Sequence, residues 1–431
     1  MTLRSLDVWI AGKRAGELSQ NEFGALSFAY LRDYRGVPLS SAMPLSTRTY
    51  RDKVLRPYLW GLLPEDQVTR EHVAADAGIS PGNPFALLGV IGLDCPGAVQ
   101  FCLTNSRSHR EERLIPISDC EIAKRLRTGR KEGSSWIAGS EHWSLGGQQN
   151  KFALRRRAGE WFSCEGAAAT THIFKSGVTG LSHQALNECV CMRLAAACGI
   201  DSAHVEYLEF EDDEGIEPAI IIERYDRIES GGDVSRLHQE DFCQALGCLP
   251  QNKYTMYGGP GCPESIKLLQ STGVEARENV ARFLQMLFFN YLIAATDAHA
   301  KNYSLMLEQS GAHRLAPMYD VASIAPYIGA DEWRNKPPKL AMSIGGENRV
   351  GCVSMGNIKR MVEHCRLDDM GITVDGCIRL LTLYADLIPE KLETVFNELE
   401  ETSSARAAVE LRDHMLGSIS QLCERAKARL S

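Results

Sequence analysis

Two acidic residues and one amide in the second half of the chain have the types and order that kinase-like phosphoryl transfer requires. Asp297 and Asn302 stand five positions apart, directly after a strongly apolar run, and Asp320 follows them. In such transfer one Asp orients the hydroxyl nucleophile, while an Asn and a second Asp hold magnesium. Asp and Asn at this spacing recur by chance, so the prediction depends on the surrounding elements. His299 could be the base of a hydrolase, but no Gly-x-Ser-x-Gly elbow accompanies it, and a structural hydrogen bond is favoured.

The elements around this loop predict how the three residues would meet. Residues 283–293 are apolar on nearly every side, which predicts a buried helix that ends at the loop. Burying polar groups at a helix end costs free energy unless they are hydrogen-bonded or belong to a functional site. Residues 303–307 predict a strand that leaves the loop, and residues 314–319 lead back. Such a hairpin should bring Asp320 beside Asn302.

Earlier stretches could supply the nucleotide-binding groups of such an enzyme. Residues 144–151 hold two adjacent glycines, which allow close backbone approach to phosphate or form an ordinary turn. Lys175 ends an apolar strand, where it could reach phosphates or lie solvated at the surface. Glu188, on the following helix, could pair with that lysine or remain an exposed charge. Residues 223–227 lie at the end of another apolar strand. They could form an interlobe hinge or a salt-bridged strand exit.

Length and composition indicate a globular protein of two or three domains. The 431 residues exceed one ordinary core, and 44% of them are apolar and 24% charged. A net charge of −8 argues against a chain that coats nucleic acid by itself. We find no signal-peptide h-region and no apolar run that could cross a bilayer. The 14 scattered cysteines lack zinc-ligand spacing, so we expect reduced thiols, a cytoplasmic location and no membrane partner.

The order of the predicted elements favours an α+β fold with a bilobal, protein-kinase-like layout. We expect a small α+β domain at residues 1–110, a linker and β-rich kinase lobe at 111–235, and a mostly helical lobe at 236–431. The charged segment 105–131 is interpreted as a solvated linker with an exposed helix, or alternatively as a contact surface for a partner or a phosphate backbone. Near the end, two separate helices are predicted at 377–387 and 390–400.

Taken in order, these stretches resemble the HipA toxin-kinase family over nearly the whole chain. The resemblance also includes Leu62–Glu65, Gln239–Asp241 and Tyr257–Gly261. It implies a serine/threonine-protein kinase that uses ATP and Mg²⁺. Members of the family act as toxins of type II toxin–antitoxin systems, and they commonly phosphorylate an aminoacyl-tRNA synthetase, most often the glutamyl enzyme. A small helix-turn-helix antitoxin (HipB-like) restrains them, and the complex sits on operator DNA.

Carried over position by position, the resemblance gives each site residue a role. Asp297 would be the catalytic base, and Asn302 would complete the catalytic set and hold magnesium together with Asp320. Ser144 matches the family's autophosphorylated serine, whose phosphate would place negative charge beside ATP and shut the enzyme off. Glu223 and Tyr225 would lie at the adenine. The other nucleotide contacts would be Gly146, Gly147, Lys151, Lys175, His299 and Lys301.

Two positions depart from the family pattern without removing a chemical group. Gln148 stands where Ala is commonest, and its larger side chain could alter loop packing or nucleotide affinity. Ala298 stands where many members have Gly, which is a mild change. Two alternatives remain: a catalytically weak corepressor that binds the antitoxin and operator DNA, and a small-molecule kinase on the same fold. The intact set of Asp297, Asn302 and Asp320 argues against the first.

Overall fold

Strands and helices are distributed over two compact units, each assembled from separate chain segments. The computed structural model describes residues 4–103, 111–132, 141–178, 180–329, 333, 335–402 and 404–430. The first unit comprises residues 1–179, 206–251 and 304–313, and the second comprises residues 180–205, 252–303 and 314–431. The fold is α+β, and all 14 cysteines are free thiols, as expected. The three-part division predicted at residues 110 and 235 stays a prediction.

The first unit begins with an antiparallel sheet of five strands. These are β1 (Arg4–Ile10), β2 (Lys13–Gln20), β3 (Leu26–Tyr30), β4 (Tyr50–Arg51) and β5 (Val99–Leu103), in the spatial order β4-β3-β2-β1-β5. Alternation along β1 buries Leu6, Val8 and Ile10, which pack into the core of this sheet and its helices. The helices are α1 (Asp52–Gly61), α2 (Gln67–Ala77) and α3 (Pro84–Ile91). Side chains of Asp66 and Asn83 cap α2 and α3.

A six-stranded sheet follows the first sheet, and two small sheets contain strands from later in the chain. The large sheet has the order β10-β11-β9-β7-β8-β6. Its strands are β6 (Glu112–Pro116), β7 (Phe152–Arg157), β8 (Glu160–Gly166), β9 (His172–Lys175), β10 (Val205–Asp212) and β11 (Gly215–Glu223). The small sheets contain β12 (Arg227–Ser230) with β13 (Asp233–Arg236), and β14 (Gln239–Asp241) with β15 (Ser304–Leu307) and β16 (His313–Leu315). The short helix α6 (Phe242–Ala245) follows β14.

The charged segment 105–131 is not the solvated linker and exposed helix that its composition suggested. Helix α4 (Asp119–Glu132) buries two of its arginines. The guanidinium group of Arg125 lies 2.8 Å from the Glu141 carboxylate, and that of Arg127 lies 2.9 Å from Glu217. These acidic partners lie 16 and 90 residues away in the sequence and outside the charged segment, so the charge pattern of the segment alone could not identify them. Residues 104–110 of the segment lie outside the described residues.

The second unit is mostly helical. It contains α5 (Gln184–Ala197), α7 (Cys262–Gln270), α8 (Ala276–Leu292), α9 (Met355–His364), α10 (Val374–Glu400) and α11 (Ala405–Leu430), with the hairpin β17 (Lys339–Ile344) and β18 (Glu347–Arg349). Helix α8 confirms the buried helix predicted before the loop, since Phe283, Leu287 and Phe289 are at most 2% exposed. No helix in the described part of the chain is long and apolar enough to span a membrane.

The two helices predicted near the end of the chain are one continuous helix. Pro389 lies inside α10, where a proline removes a backbone hydrogen bond and normally ends or kinks the helix. Ile388 and Leu392, on either side of it, are fully buried. Packing of this apolar face outweighs the local preference to stop, because tertiary contacts supply most of a helix's stability.

Glu240 on β14 should make folding of the first unit depend on pH. Its carboxylate accepts hydrogen bonds from the Ser41 backbone N–H, at 2.8 Å, and from the Ser41 hydroxyl. Its second oxygen has no hydrogen-bond partner among the described residues. Burial raises the pKa of Glu240 to about 7. The folded state therefore binds the proton more tightly than the unfolded state, and stability should fall as pH rises from about 4.5 to about 7.

We expect Glu240→Gln to raise the free energy of unfolding at pH 8 by about 1–3 kcal/mol, because a neutral amide avoids the buried charge while keeping one acceptor for Ser41. Thermal unfolding measured from pH 5 to pH 8 checks this, because the unfolding temperature of the variant should decline less with rising pH than that of the wild type. Glu22→Gln, at an exposed position of the same unit, is the matched control. A variant that follows the wild-type curve throughout would contradict the assignment.

Candidate active site

The loop after α8 is held by its own backbone and contains a strained residue. Ala294 has φ = 54°, in the left-handed region that costs a non-glycine residue about 1–2 kcal/mol. The Asp297 carbonyl accepts the His299 N–H at 2.8 Å, and the His299 carbonyl accepts the Asn302 N–H at 2.9 Å. This folding leaves the Asp297 carboxylate exposed to solvent, whereas His299 is buried. A carboxylate on a rigid, buried support is placed to meet a substrate.

Asn302 joins the two acidic residues through its side chain. Its amide nitrogen donates to the Asp297 carbonyl at 3.0 Å and to the Asp320 carbonyl at 3.3 Å. The hairpin of β15 and β16 thus returns the chain as predicted and brings Asp320 beside Asn302. Because the nitrogen faces two carbonyls, this network assigns the amide oxygen to the opposite side, where it can act as a ligand.

Asp320 supplies the second oxygen group of this arrangement. Its backbone has φ = 59°, and its side chain is exposed. Strained residues of this kind persist where surrounding contacts fix them, and they cluster at functional sites. One such contact is the Tyr319 hydroxyl, which donates to the Lys301 carbonyl at 2.8 Å. Oxygens of Asn302 and Asp320 suit Mg²⁺, which commonly takes one or two protein ligands and keeps several waters.

Ser144 lies buried at the start of the Gly-rich loop. Its hydroxyl donates to the Leu62 carbonyl at 2.7 Å, and its backbone N–H donates to the Asp94 carbonyl at 3.0 Å. Further along, the Gly147 carbonyl accepts the Glu65 N–H at 3.0 Å. The stretch Leu62–Glu65 therefore holds the loop from both ends, a role that the sequence did not reveal because the segments are about 80 residues apart.

Glycine is required at one position of this loop. Gly147 has φ = 100°, and a Cβ there would lie 2.6 Å from the Lys151 ammonium. That ammonium donates to the Gly146 carbonyl at 2.7 Å. Lys151, predicted as a nucleotide contact, thus contacts the loop itself in this structure, and any direct role toward phosphate stays a prediction.

Lys175 and Glu223 lie on neighbouring strands of the large sheet, and Tyr225 follows the second of these strands. Lys175 pairs with Ile220 and is buried, so the solvated alternative is wrong. Glu223 ends β11 and is exposed, and the Tyr225 hydroxyl donates to the Gln239 side chain. Burial raises the pKa of Tyr225, which keeps it a hydrogen-bond donor. Glu188, in the second unit, is buried on α5 and is not the exposed charge considered as its alternative.

Residues 223–227, the predicted hinge, form a salt-bridged strand exit, and their role as a hinge between two lobes stays a prediction. Arg224 and Arg227 flank Tyr225 and Asp226, and both arginines contact the buried carboxylate of Asp94. Asp94 lies more than 120 residues away in the sequence, so no local pattern could identify it as their partner.

The sequence and structural comparisons decide the family. A family model described as the HipA-like C-terminal domain matches residues 143–403, and one described as the HipA N-terminal domain matches residues 6–102. The chain belongs to the HipA family. The first match covers the Gly-rich loop, the hinge and the loop after α8, so every predicted site residue of this HipA-family chain falls within it.

Its similar proteins include named kinases. The putative kinase Y4mE of Sinorhizobium fredii is 35% identical over 358 residues, covering 80% of this chain and 82% of that protein. The serine/threonine-protein kinase toxin HipA of Shewanella oneidensis is 31% identical over 407 residues, covering 91% and 89%. A solved complex of Shewanella oneidensis HipA, HipB and operator DNA matches with a TM-score of 0.77 and 27% identity, covering 98% of this chain and 99% of that one. These matches support a HipA-type kinase fold.

The predicted site residues are distributed over the two units. Ser144, Gly146, Gly147, Lys151, Lys175, Glu223 and Tyr225 belong to the first unit, and Asp297, His299, Lys301, Asn302 and Asp320 belong to the second. Within the second unit, the structure brings Asp297, Asn302 and Asp320 together. Sequence reasoning missed Tyr254, whose hydroxyl donates to the Asp297 carboxylate at 2.5 Å. The only sequence signal was that Tyr254 shortly precedes the Tyr257–Gly261 stretch, to which no role had been given.

Proposed function

We propose that this HipA-family chain is a serine/threonine-protein kinase toxin that transfers the γ-phosphate of ATP to a serine of a protein. The observation that carries the proposal is the side chain of Asn302, which ties Asp297 and Asp320 together and leaves an amide oxygen for a cation. A structural role alone would not require an exposed carboxylate on each side of that amide. The named kinase relatives support the same activity.

Each predicted site residue would have a separate role in phosphate transfer. Asp297 would orient the acceptor hydroxyl and take its proton, because its carboxylate is exposed on a fixed loop. Mg²⁺ held by Asn302 and Asp320 would neutralise charge on the phosphates of ATP. Lys175 would contact the phosphates as a point charge, and backbone groups near Glu223 and Tyr225 would bind the adenine.

We further propose that the substrate is an aminoacyl-tRNA synthetase, with the glutamyl enzyme as the first candidate, and that its phosphorylation inhibits translation and growth. The partner would be a HipB-like helix-turn-helix antitoxin, with operator DNA bound through that complex, all in the cytoplasm. The support is the likeness to a HipA solved with HipB and operator DNA. The family resemblance carries these assignments.

Autophosphorylation of Ser144 would switch the enzyme off. The serine is buried, with its hydroxyl on the Leu62 carbonyl. A phosphate carries about −1.5 to −2 charges and has only acceptor oxygens, so it would face that carbonyl without a donor. Burying such a charge unpaired costs several kcal/mol, which favours a loop that has left this position.

We expect purified protein to gain one phosphate on Ser144 when incubated with ATP and Mg²⁺, and Ser144→Ala to gain none while still phosphorylating the synthetase. The reason is that alanine removes the acceptor hydroxyl and costs only about 1 kcal/mol of hydrogen bonding. Intact-mass measurement and phosphopeptide mapping check both statements. Nucleotide binding without phosphate on either protein would favour the corepressor alternative, and phosphate on a metabolite instead of the synthetase would favour the small-molecule kinase.

A further inference from the structure

Tyr254 contacts the proposed catalytic carboxylate directly. Its hydroxyl donates to Oδ1 of Asp297 at 2.5 Å, a short, charge-assisted hydrogen bond. An ionised carboxylate has two oxygens and about four lone-pair sites, so this bond leaves Oδ2 for another hydroxyl. No hydrogen bond to Oδ2 comes from a residue in the described part of the chain. The tyrosine thus fixes one oxygen and leaves the other available.

The ring of Tyr254 is itself held in place. It packs edge-to-face against His299, with ring centroids 4.9 Å apart, and the Lys253 ammonium lies 5.6 Å from its centroid. Its carbonyl accepts the N–H groups of Tyr257 and Gly259, each at 3.0 Å. Gly259 must be glycine, since a Cβ there would lie 1.9 Å from the Asn252 carbonyl oxygen. The turn is therefore closed and rigid.

The turn and the catalytic loop are anchored to the same residue. The Thr255 hydroxyl donates to the Ala341 carbonyl at 2.9 Å, and the Ala341 N–H donates to the Thr296 carbonyl at 3.1 Å. Strand β17 thus ties the residue after Tyr254 to the residue before Asp297. A contact fixed on both sides in this way is preorganised, and positioning to within about 0.5 Å is what catalytic groups require.

We propose that Tyr254 is a positioning residue for the phosphotransfer reaction, whose hydroxyl holds the Asp297 carboxylate with Oδ2 directed toward the acceptor hydroxyl of the substrate. This inference rests on the proposed kinase function and gives a role to the Tyr257–Gly261 stretch, which closes the turn that carries the tyrosine. Without the hydroxyl the carboxylate is free to rotate, and fewer encounters with bound substrate are productive.

Tyr254→Phe tests the inference because it removes one oxygen and keeps the ring. We expect kcat for phosphate transfer to fall about 10- to 100-fold, with the KM for ATP and the unfolding temperature unchanged. Tyr257→Phe is the matched control, since it removes the hydroxyl of a 60% exposed tyrosine in the same turn and should leave kcat unchanged. Initial rates with radiolabelled ATP are measured for the wild type, Tyr254→Phe and Tyr257→Phe.

A double-mutant cycle separates positioning from a general structural role. If Tyr254 acts through Asp297, adding Tyr254→Phe to Asp297→Asn should lower the residual rate no further. A further 10-fold loss in that background would overturn the inference, as would a Tyr254→Phe enzyme that is as fast as wild type or faster. An inactive wild type would overturn the kinase function and this inference together, whereas an active wild type with an unaffected Tyr254→Phe would overturn the inference alone.

Discussion

Asp297→Asn should lower the rate of phosphate transfer about 10²- to 10⁴-fold, which is the usual contribution of a general base. The substitution is well suited to this site because the side chain of Asp297 does not hold the loop together. Asn302 and His299 bond to the Asp297 carbonyl, which the variant keeps. The Tyr254 hydroxyl can donate to the Oδ1 of an asparagine as it does to that of the aspartate. The variant therefore removes the charge and the proton acceptor but little of the structure.

Rate and binding measured on the same samples check this prediction. Transfer from radiolabelled ATP to the synthetase should fall, while the affinity for ATP and the unfolding temperature should stay within error of wild type. Asp320→Asn is an informative companion, because loss of a magnesium ligand should instead raise the magnesium concentration needed for half-maximal rate. An Asp297→Asn enzyme that keeps more than a tenth of the wild-type rate would exclude Asp297 as the base.

The loop after α8 could be predicted from sequence because the determining contacts are local. The apolar run that becomes α8, the polar residues at its end and the hairpin back to Asp320 all fall within some 40 residues. Short connections of this kind leave few alternatives for where the returning strand can place its polar residue. The bond from Asn302 to the Asp320 carbonyl is the direct result.

The contacts that hold the Gly-rich loop and the hinge were not predictable in this way. Ser144 bonds to Leu62, and Asp94 bonds to Arg224 and Arg227, across 82 to 133 residues of sequence. Charge pattern alone cannot pair such residues, because each could equally be solvated. The continuous helix through Pro389 has the same cause, since the packing that sustains it comes from other elements. The local arrangement of the loop after α8 could be predicted, but the contacts that anchor the Gly-rich loop and the predicted hinge within the first unit could not.

The anchoring of the hinge depends most on Asp94. Its carboxylate is 1% exposed and accepts hydrogen bonds from Arg227 at 2.9 Å, Arg236 at 3.0 Å and Arg224 at 3.2 Å. The Thr170 hydroxyl adds a bond at 2.7 Å. Burial alone would raise the pKa of Asp94, but the three guanidinium groups outweigh burial and hold that pKa well below its usual range. The carboxylate is therefore ionised and fully paired at neutral pH.

Asp94→Ala should destabilise the protein by about 3–5 kcal/mol, because it leaves buried guanidinium groups with too few acceptors. The unfolding temperature should fall by about 10 °C at pH 7. Because the pKa of Asp94 is lowered on folding, its contribution is present above the ordinary Asp pKa of about 4 and is lost as pH falls below it. The difference in free energy of unfolding between the variant and the wild type should therefore become smaller at acidic pH. Asp33→Ala, at an exposed position of the same unit, should change stability by less than about 0.5 kcal/mol.

The same variant should also weaken ATP binding if the cluster positions the hinge. Arg224 and Arg227 flank Tyr225, and the Asp94 carbonyl holds the Ser144 N–H, so losing this carboxylate should loosen both the hinge and the Gly-rich loop. We expect a higher KM for ATP with a smaller change in kcat, measured well below the unfolding temperature of the variant. Lower stability with an unchanged KM for ATP would show that Asp94 contributes to folding but not to ATP binding. An unfolding temperature within 2 °C of wild type would show that the arginines find other acceptors, and that the cluster does not anchor the hinge.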